Sequence, residues 1–378
     1  MSSPQLTAWK WLCCGDEAFP AMLAAIDAAS ESVRLETYIF SDDELGQRFR
    51  DALIRARQRG AAVRVLVDGI GSNDLPEDFW SSLKSAGGEV RVFNPVTLKR
   101  FGIRDHRKLL VCDNQVAFIG GFNISCEYEG DGIARGWRDV GLRLSGAIVG
   151  ELAASFDEMF VLAEFRHKRL ARFRKAQHKK TILADNDQLL LGGPGRGFNP
   201  IRKALNKDLG RARDVQIAQA YFLPTWRIRR ALGRIARRGG KVELLLAGKS
   251  DVALSQIAAR SLYQRLMRAG VKIFEYQPQI LHAKLLVVDD VVYIGSANLD
   301  PRSLSINYEL MVRFENPKMA AEAREIFSDS LIHSQQIDIA TWKRSRTLWM
   351  KIKERFAHFV LARIDPHVAR LQWKWLPE

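Results

Sequence analysis

The sequence has few cysteines, no long apolar run and no export-type leader. Its four cysteines are Cys13, Cys14, Cys112 and Cys126, with no CxxC pair and no histidine at zinc-finger spacing. This pattern indicates neither a disulfide framework nor a zinc site, so we expect a reduced cytosolic compartment. No stretch reaches the roughly 18 uncharged apolar residues that a spanning helix needs, and the N-terminus lacks a basic segment followed by an apolar run. We therefore expect neither export nor a membrane span.

The length and composition are those of a folded protein of two domains. The 378 residues are 47% hydrophobic and 27% charged, with only 12 prolines, which excludes a disordered or fibrous chain. The net charge of +15 is concentrated, because residues 165–180 carry +8 and residues 341–378 carry +6, which leaves +1 for the rest. A continuous nucleic-acid track across the folded body is therefore not indicated.

Short strand-like runs recur along the chain at a nearly constant offset. Three of them return after 179 to 182 residues. The pairs are Val33–Ile39 with Val215–Tyr221, Val63–Asp68 with Val242–Ala247, and Val90–Phe93 with Val271–Phe274. In each half a helical spacing of apolar residues separates the first two strands, and a glycine (Gly60 or Gly239) follows it. The pattern predicts two α/β units with mainly parallel pairing.

Each half then contains a hairpin that carries the same chemistry-capable residues. The first copy has His106, Lys108 and Asp113, followed by Gly120-Gly121-Phe122-Asn123, and the second has His282, Lys284 and Asp289, followed by Gly295-Ser296-Ala297-Asn298. Histidine and lysine two residues apart lie on one face of a strand and can converge on one substrate group. A neutral imidazole can attack phosphorus, while lysine and asparagine donate hydrogen bonds to the phosphate oxygens. Two histidines across one cleft can then share the roles of nucleophile and general acid or base.

One such motif would be weak evidence, but two at matching places in a duplicated framework are strong evidence. The two motifs resemble the paired HKD signatures of the phospholipase D superfamily, and the similarity covers about residues 35–314. Among its members, the IGGFN and GWRD segments (119–123 and 136–139) and the segment 294–309 are most similar to bacterial cardiolipin synthases, of the shorter B type.

The resemblance implies a fold of two homologous phospholipase D-like domains, each a mixed, mainly parallel sheet flanked by helices. The domains would pack as a pseudo-dimer with one active site between the halves. We expect a first domain at 1–160, a basic connecting segment at 161–190, a second domain at 191–335 and an amphipathic, Trp-rich basic tail at 336–378.

The resemblance also implies phosphatidyl transfer without metal or other cofactor, through a phosphohistidine, from one phosphatidylglycerol to another with release of glycerol. His106 is our choice of nucleophile and His282 of general acid. Lys108, Lys284, Asn123 and Asn298 would hold the phosphate, and Asp113 and Asp289 would support the hairpin turns. Asp139 and Glu309, at corresponding places after the motifs, would orient the histidines.

The expected partners are anionic phospholipids at the inner face of the cell membrane, without nucleic acid. The tail combines apolar residues at helical spacing with basic residues, which is typical of a helix lying in the headgroup region, although it could instead dock its apolar stripe on the protein. Two other activities stay open at this point. Water in place of the lipid acceptor would make the protein a phospholipase D-type hydrolase, and the same two-histidine centre could cleave a nucleic acid.

Overall fold

The computed structural model describes residues 7–95, 102–164, 179–184, 187–195 and 197–372. Most of the basic segment 165–180 and the last two tryptophans, Trp373 and Trp375, lie outside these ranges. Within the described ranges no helix is both long enough and apolar enough to cross a bilayer.

The first half forms a sheet of seven described strands with four helices. In spatial order the strands run β1-β7-β6-β5-β2-β3-β4. The strands are β1 (Ala8–Leu12), β2 (Ser32–Thr37), β3 (Ala62–Asp68), β4 (Glu89–Phe93), β5 (Leu109–Cys112), β6 (Val116–Gly120) and β7 (Gly141–Ser145). The helices are α1 (Gly15–Ala28), α2 (Glu44–Gln58), α3 (Ser81–Ser85) and α4 (Ile148–Glu164). The predicted helix is α2, which buries Leu45, Phe49 and Leu53.

The second half repeats this arrangement and adds a strand at each edge of the sheet. The order is β16-β12-β11-β10-β13-β14-β15-β9-β8, in which β9 to β15 occupy the places of β1 to β7. The strands are β8 (Lys180–Ala184), β9 (Asp187–Gly192), β10 (Asp214–Gln219), β11 (Lys241–Ala247), β12 (Lys272–Tyr276), β13 (Lys284–Val288), β14 (Val291–Gly295), β15 (Glu309–Glu315) and β16 (Ser334–Gln336). The helices are α5 (Pro200–Asp208), α6 (Trp226–Arg237), α7 (Ala253–Met267) and α8 (Pro317–Ile332).

The α/β class and the two mixed sheets flanked by helices are confirmed, but the expected predominance of parallel pairing is wrong. Only β2-β3-β4 and β10-β11-β12 pair in parallel, and the other neighbours in both sheets are antiparallel. The reason is local. Each histidine motif lies on a hairpin, and a hairpin inserts antiparallel strands into the middle of the sheet. The strands β8 and β9 also belong to the second sheet, although we expected residues up to 190 to be a connecting segment.

The two sheets share an apolar core. One buried cluster joins residues of both halves, including Leu109 and Ile119 from the first and Leu285 and Ile294 from the second. Each half also has a cluster of its own beneath its outer helices. The histidine motifs of the two halves are therefore held against each other by continuous packing.

The tail is helical and packs on the second half. Its elements are α9 (Ile339–Ser345), α10 (Leu348–Phe359), a π-helical turn (Val360–Ile364) and α11 (Asp365–Gln372). The α10 helix contacts α7 by burying Ala357, and the Ser261 hydroxyl lies 3.1 Å from Nδ1 of His358. The apolar stripe points elsewhere: Trp349, Ile352, Phe356 and Phe359 keep 48 to 64% of their surface exposed. The helix thus docks on the protein without burying its stripe.

Candidate active site

Each motif histidine precedes the first strand of its hairpin and is tied to the opposite half of the chain. The backbone N–H of His106 donates to the carbonyl of Tyr308 at 3.0 Å, and the N–H of His282 donates to the carbonyl of Arg138 at 2.7 Å. The residues that follow these two carbonyl groups are Glu309 and Asp139. The backbone therefore brings each predicted carboxylate to the histidine of the other half.

The side chains complete this crossed arrangement. Nδ1 of His106 lies 3.1 Å from Oε1 of Glu309, and Nδ1 of His282 lies 2.7 Å from Oδ2 of Asp139. Both carboxylates are fully buried. A carboxylate on Nδ1 favours the tautomer in which that nitrogen carries the proton, so Nε2 keeps the lone pair. The sequence indicated both acids but not which histidine each one contacts.

Burial sets the protonation of both imidazoles. It lowers the pKa of His106, against the opposing effect of Glu309, and it lowers the pKa of His282 well below the ordinary range, with the charges of Lys284 and Lys108 acting in the same direction. Both rings are therefore neutral near pH 7 in the unliganded protein, which suits a nucleophile.

The two lysines lie beside the histidines and are themselves buried. Nζ of Lys108 donates to the carbonyl of His106 at 2.7 Å, and Nζ of Lys284 donates to the carbonyl of His282. Burial, together with the charge of Lys284, lowers the pKa of Lys108 to about 7, and burial lowers that of Lys284 to about 8. A bound phosphodiester would offset this concentrated positive charge.

The two motif asparagines differ in the hydrogen bonds that their side-chain amides make. The Asn123 side chain donates to the hydroxyl of Tyr128 at 2.6 Å and accepts from the N–H of Ile39 at 3.1 Å. Asn298 lines the cleft, and its buried Oδ1 has no hydrogen-bond partner among the described residues. Tyr128, whose hydroxyl lies 3.4 Å from Nε2 of His282, carried no motif signal that sequence reasoning could use.

The two motif aspartates lie away from the histidines, at the hairpin turns. Asp113 accepts from the backbone N–H groups of Ser30, Glu31 and Ser32 at 2.8 to 2.9 Å, and Asp289 accepts from those of Arg213 and Asp214. Neither contributes to the wall of the cleft. This placement is compatible with the turn-supporting role that we expect of them.

A cleft of about 480 Å³ opens above the two histidines. Tyr38 and Tyr221 line it, whereas Glu36 and Gln219 are buried below it. The tail also contributes to the wall. Leu361 and Asp365 line the cleft, and Asp365 pairs with Arg302 at 3.1 Å. The tail therefore forms part of the wall of this cleft, which the sequence did not indicate.

The chain is similar to several known proteins. The family model described as "Cardiolipin synthase, PLD-like domain" matches residues 22–161 and 205–331. Cardiolipin synthase B of Escherichia coli K12 is 33% identical over 372 residues, which cover 96% of this chain and 88% of that protein. Cardiolipin synthase 1 of Bacillus cereus is 32% identical over 367 residues, which cover 94% of this chain and 72% of that protein.

Two solved structures share the fold at low sequence identity. Phosphatidylserine synthase of Haemophilus influenzae is 14% identical, with a TM-score of 0.77 over 97% of each chain. Polyphosphate kinase of Porphyromonas gingivalis is 15% identical, with a TM-score of 0.59 over 88% of this chain and 49% of that one. These two likenesses concern the fold alone.

Proposed function

Since this chain belongs to the family of cardiolipin synthases with phospholipase D-like domains and is a phosphatidyltransferase, we propose that it transfers the phosphatidyl group of one phosphatidylglycerol to the glycerol hydroxyl of a second, forming cardiolipin and releasing glycerol. The observation that carries the proposal is the pair of histidines at one cleft, each with a carboxylate from the opposite half on Nδ1.

The first half-reaction forms a phosphohistidine. Nε2 of His106 attacks phosphorus, the bond from phosphorus to the headgroup glycerol oxygen breaks, and that oxygen takes the bonding electron pair together with a proton from His282. The negative phosphodiester raises the pKa of His282, since it offsets the lysine charges that lower it in the free protein. Glycerol then leaves.

The second half-reaction reverses the proton movement. The glycerol hydroxyl of the second lipid loses its proton to Nε2 of His282 while its oxygen attacks phosphorus, and the bond from phosphorus to His106 breaks. Lys108, Lys284 and Asn298 donate to the phosphoryl oxygens in both steps. The choice of His106 as nucleophile is supported by the surroundings of the two rings, because Tyr128 lies at Nε2 of His282.

We also propose that the protein acts at the inner face of the cell membrane as a peripheral protein. The exposed stripe of α10 supports this location, because Lys351, Lys353 and Arg355 flank Trp349 and Phe356 on the same helix. Exposed aromatic residues next to cations are typical of helices in the headgroup region of anionic bilayers.

The test is to incubate the purified protein with phosphatidylglycerol in EDTA and to identify the products by mass spectrometry. We expect cardiolipin and glycerol from the native protein and neither from His106→Ala or His282→Ala. Phosphatidic acid without cardiolipin would contradict transfer and indicate a hydrolase. If no lipid product forms, the same assay on DNA and RNA would test the nucleic-acid alternative.

A further inference from the structure

We propose that a groove between α6 and α7 binds the headgroup of an anionic phospholipid in the bilayer, at a place separate from the catalytic cleft. The inference rests on the proposed function, since it assumes that the protein acts on a lipid surface. The groove has a volume of about 240 Å³ and is lined by Trp226, Arg229, Arg230, Arg237 and Arg265. None of these five residues lines the cleft above the histidines.

The positive charge of this groove is uncompensated. Neither α6 nor α7 contains an acidic residue, and residues 226–238 alone include six arginines. Among the described residues, no carboxylate lies within ion-pair distance of the four groove arginines, whereas other arginines, such as Arg34 and Arg313, do pair. The summed charge of the folded body is close to neutral, but a sum over many residues does not show where the charges lie. This cluster of arginines was therefore not predicted from the sequence.

Arg229 shows most clearly that a partner is missing. It is half-buried, and its Nε is shielded from solvent without a hydrogen-bond acceptor among the described residues. Burial, together with the charge of Arg265, lowers the pKa of Arg229. Desolvated guanidinium groups that repel each other are stabilised by an anion, and a phosphodiester matches their planar donors.

The surroundings of the groove favour a bilayer as the source of that anion. Trp226 is 51% exposed, and the guanidinium of Arg230 lies 5.1 Å from its ring centroid. Tryptophan at an apolar and charged boundary is typical of the headgroup level of a membrane. The groove also adjoins the tail, because α10 packs on α7. Burial, together with the charge of Arg229, lowers the pKa of His358 on α10. Groove and apolar stripe can therefore meet the same lipid surface.

The experiment compares two pairs of substitutions on one helix. Arg230→Gln with Arg237→Gln removes two charges from the groove, and Arg227→Gln with Arg234→Gln removes two exposed charges of α6 that do not line it. Binding is measured by sedimentation with vesicles of phosphatidylcholine that contain about one quarter phosphatidylglycerol, and with vesicles of phosphatidylcholine alone. At about 1 kcal/mol per arginine, the groove pair should weaken anionic binding about thirtyfold, and the control pair less than about threefold.

Three results would overturn the inference. The first is equal loss in both pairs, which would mean diffuse attraction without a site. The second is undiminished vesicle binding by the groove variant. The third is that the groove substitutions weaken binding to DNA and leave vesicle binding unchanged, which would assign the groove to nucleic acid.

A separate measurement distinguishes this inference from the proposed function. Phosphatidylglycerol dispersed in detergent micelles removes the need for a bilayer, so the groove variant should keep native kcat there. If the native protein makes cardiolipin but the groove variant binds vesicles normally, only the groove assignment is wrong. If the native protein makes no cardiolipin from either source, the proposed function is wrong whatever the vesicles show.

Discussion

The two half-sites present the same histidine to the cleft, with a buried lysine beside it, but the residues behind them differ. In the first half Glu36, Asp105 and Arg107 are buried behind the motif, with an Arg107 Nη2 to Glu36 Oε2 distance of 3.0 Å. The strand register places Ala218 at the position of Glu36. The spacing from His282 places Leu281 and Ala283 at the positions of Asp105 and Arg107. The two halves therefore share the same histidine and lysine, and the residues behind them are charged in the first half and apolar in the second.

A second difference lies next to the carboxylates. A Cβ on Gly121 would lie 2.2 Å from Oδ1 of Asp139, so only glycine leaves room for that side chain. The corresponding residue of the second half is Ser296, whose hydroxyl donates to Glu309. The two glycines that open these segments, Gly120 and Gly295, adopt φ of 152° and 156° and lie against the neighbouring strand. The glycines of these segments therefore make room for a carboxylate and for the neighbouring strand.

The largest expected effect on transfer comes from removing either of the two histidines. His106→Ala and His282→Ala should each lower transfer by about 10³-fold or more, because neither half-reaction has a substitute for the missing group. A phosphatidyl donor with a nitrophenolate leaving group needs no general acid, so it should restore phosphohistidine formation in His282→Ala and not in His106→Ala. The check is the burst of nitrophenolate in a rapid-mixing experiment. Rescue of His106→Ala would reverse the assignment of the two roles.

The next effect concerns the crossed carboxylates. Glu309→Gln and Asp139→Asn should each lower kcat about 10²-fold, because the amide no longer stabilises the correct tautomer and charge of the ring. Loss of the Glu309 charge also lowers the pKa of His106 further, and His106 must be neutral to attack. The acid limb of kcat/KM should therefore move to lower pH in Glu309→Gln. An unchanged limb with the same loss of rate would mean that Glu309 supports only the fold.

The buried lysines predict a smaller, graded effect of pH. A lysine is charged below its pKa, and the pKa of Lys108 is about 7 and that of Lys284 about 8 in the free protein. The value of kcat/KM, which reports the free enzyme, should therefore fall about tenfold per pH unit between these two values and more steeply above both. In Lys284→Met the residual limb should move to higher pH, because the charge of Lys284 lowers the pKa of Lys108. A limb that stays in place would contradict this coupling.

Periodicity and repetition in the sequence predicted the elements that carry the two histidine motifs. The hairpins of His106 and His282 and the helix α2 follow from local patterns, and the duplicated strand order follows from the repeat. The contact between His106 and Glu309 could not be predicted, since these residues are 203 positions apart and meet only through the packing of the halves. The edge strands β8 and β16 were also not predicted, because short edge strands lack a strong alternating pattern.

We expect the smallest effect on transfer from substitutions of the buried charged residues behind the first histidine motif. These substitutions test the difference between the two half-sites most directly. Arg107→Ala leaves Glu36 and Asp105 buried without their cation, and such a loss typically costs about 3–5 kcal/mol of the free energy of unfolding. Burial already raises the pKa of both carboxyl groups, with the charge of Glu36 adding to the effect on Asp105.

The triple variant Glu36→Ala, Asp105→Leu and Arg107→Ala copies the second half. It should be more stable than Arg107→Ala alone despite two further changes, because no buried charge remains unpaired. A carboxyl group with a raised pKa in the folded state loses stability as pH rises through its unfolded value, so the deficit of Arg107→Ala should shrink as the pH falls toward about 4. Urea unfolding at neutral and acidic pH checks both statements. If Arg107→Ala were more stable than the triple variant, the charged residues would stabilise the first half through their packing and not through their charge. The two half-sites would then differ in the shape of the buried side chains.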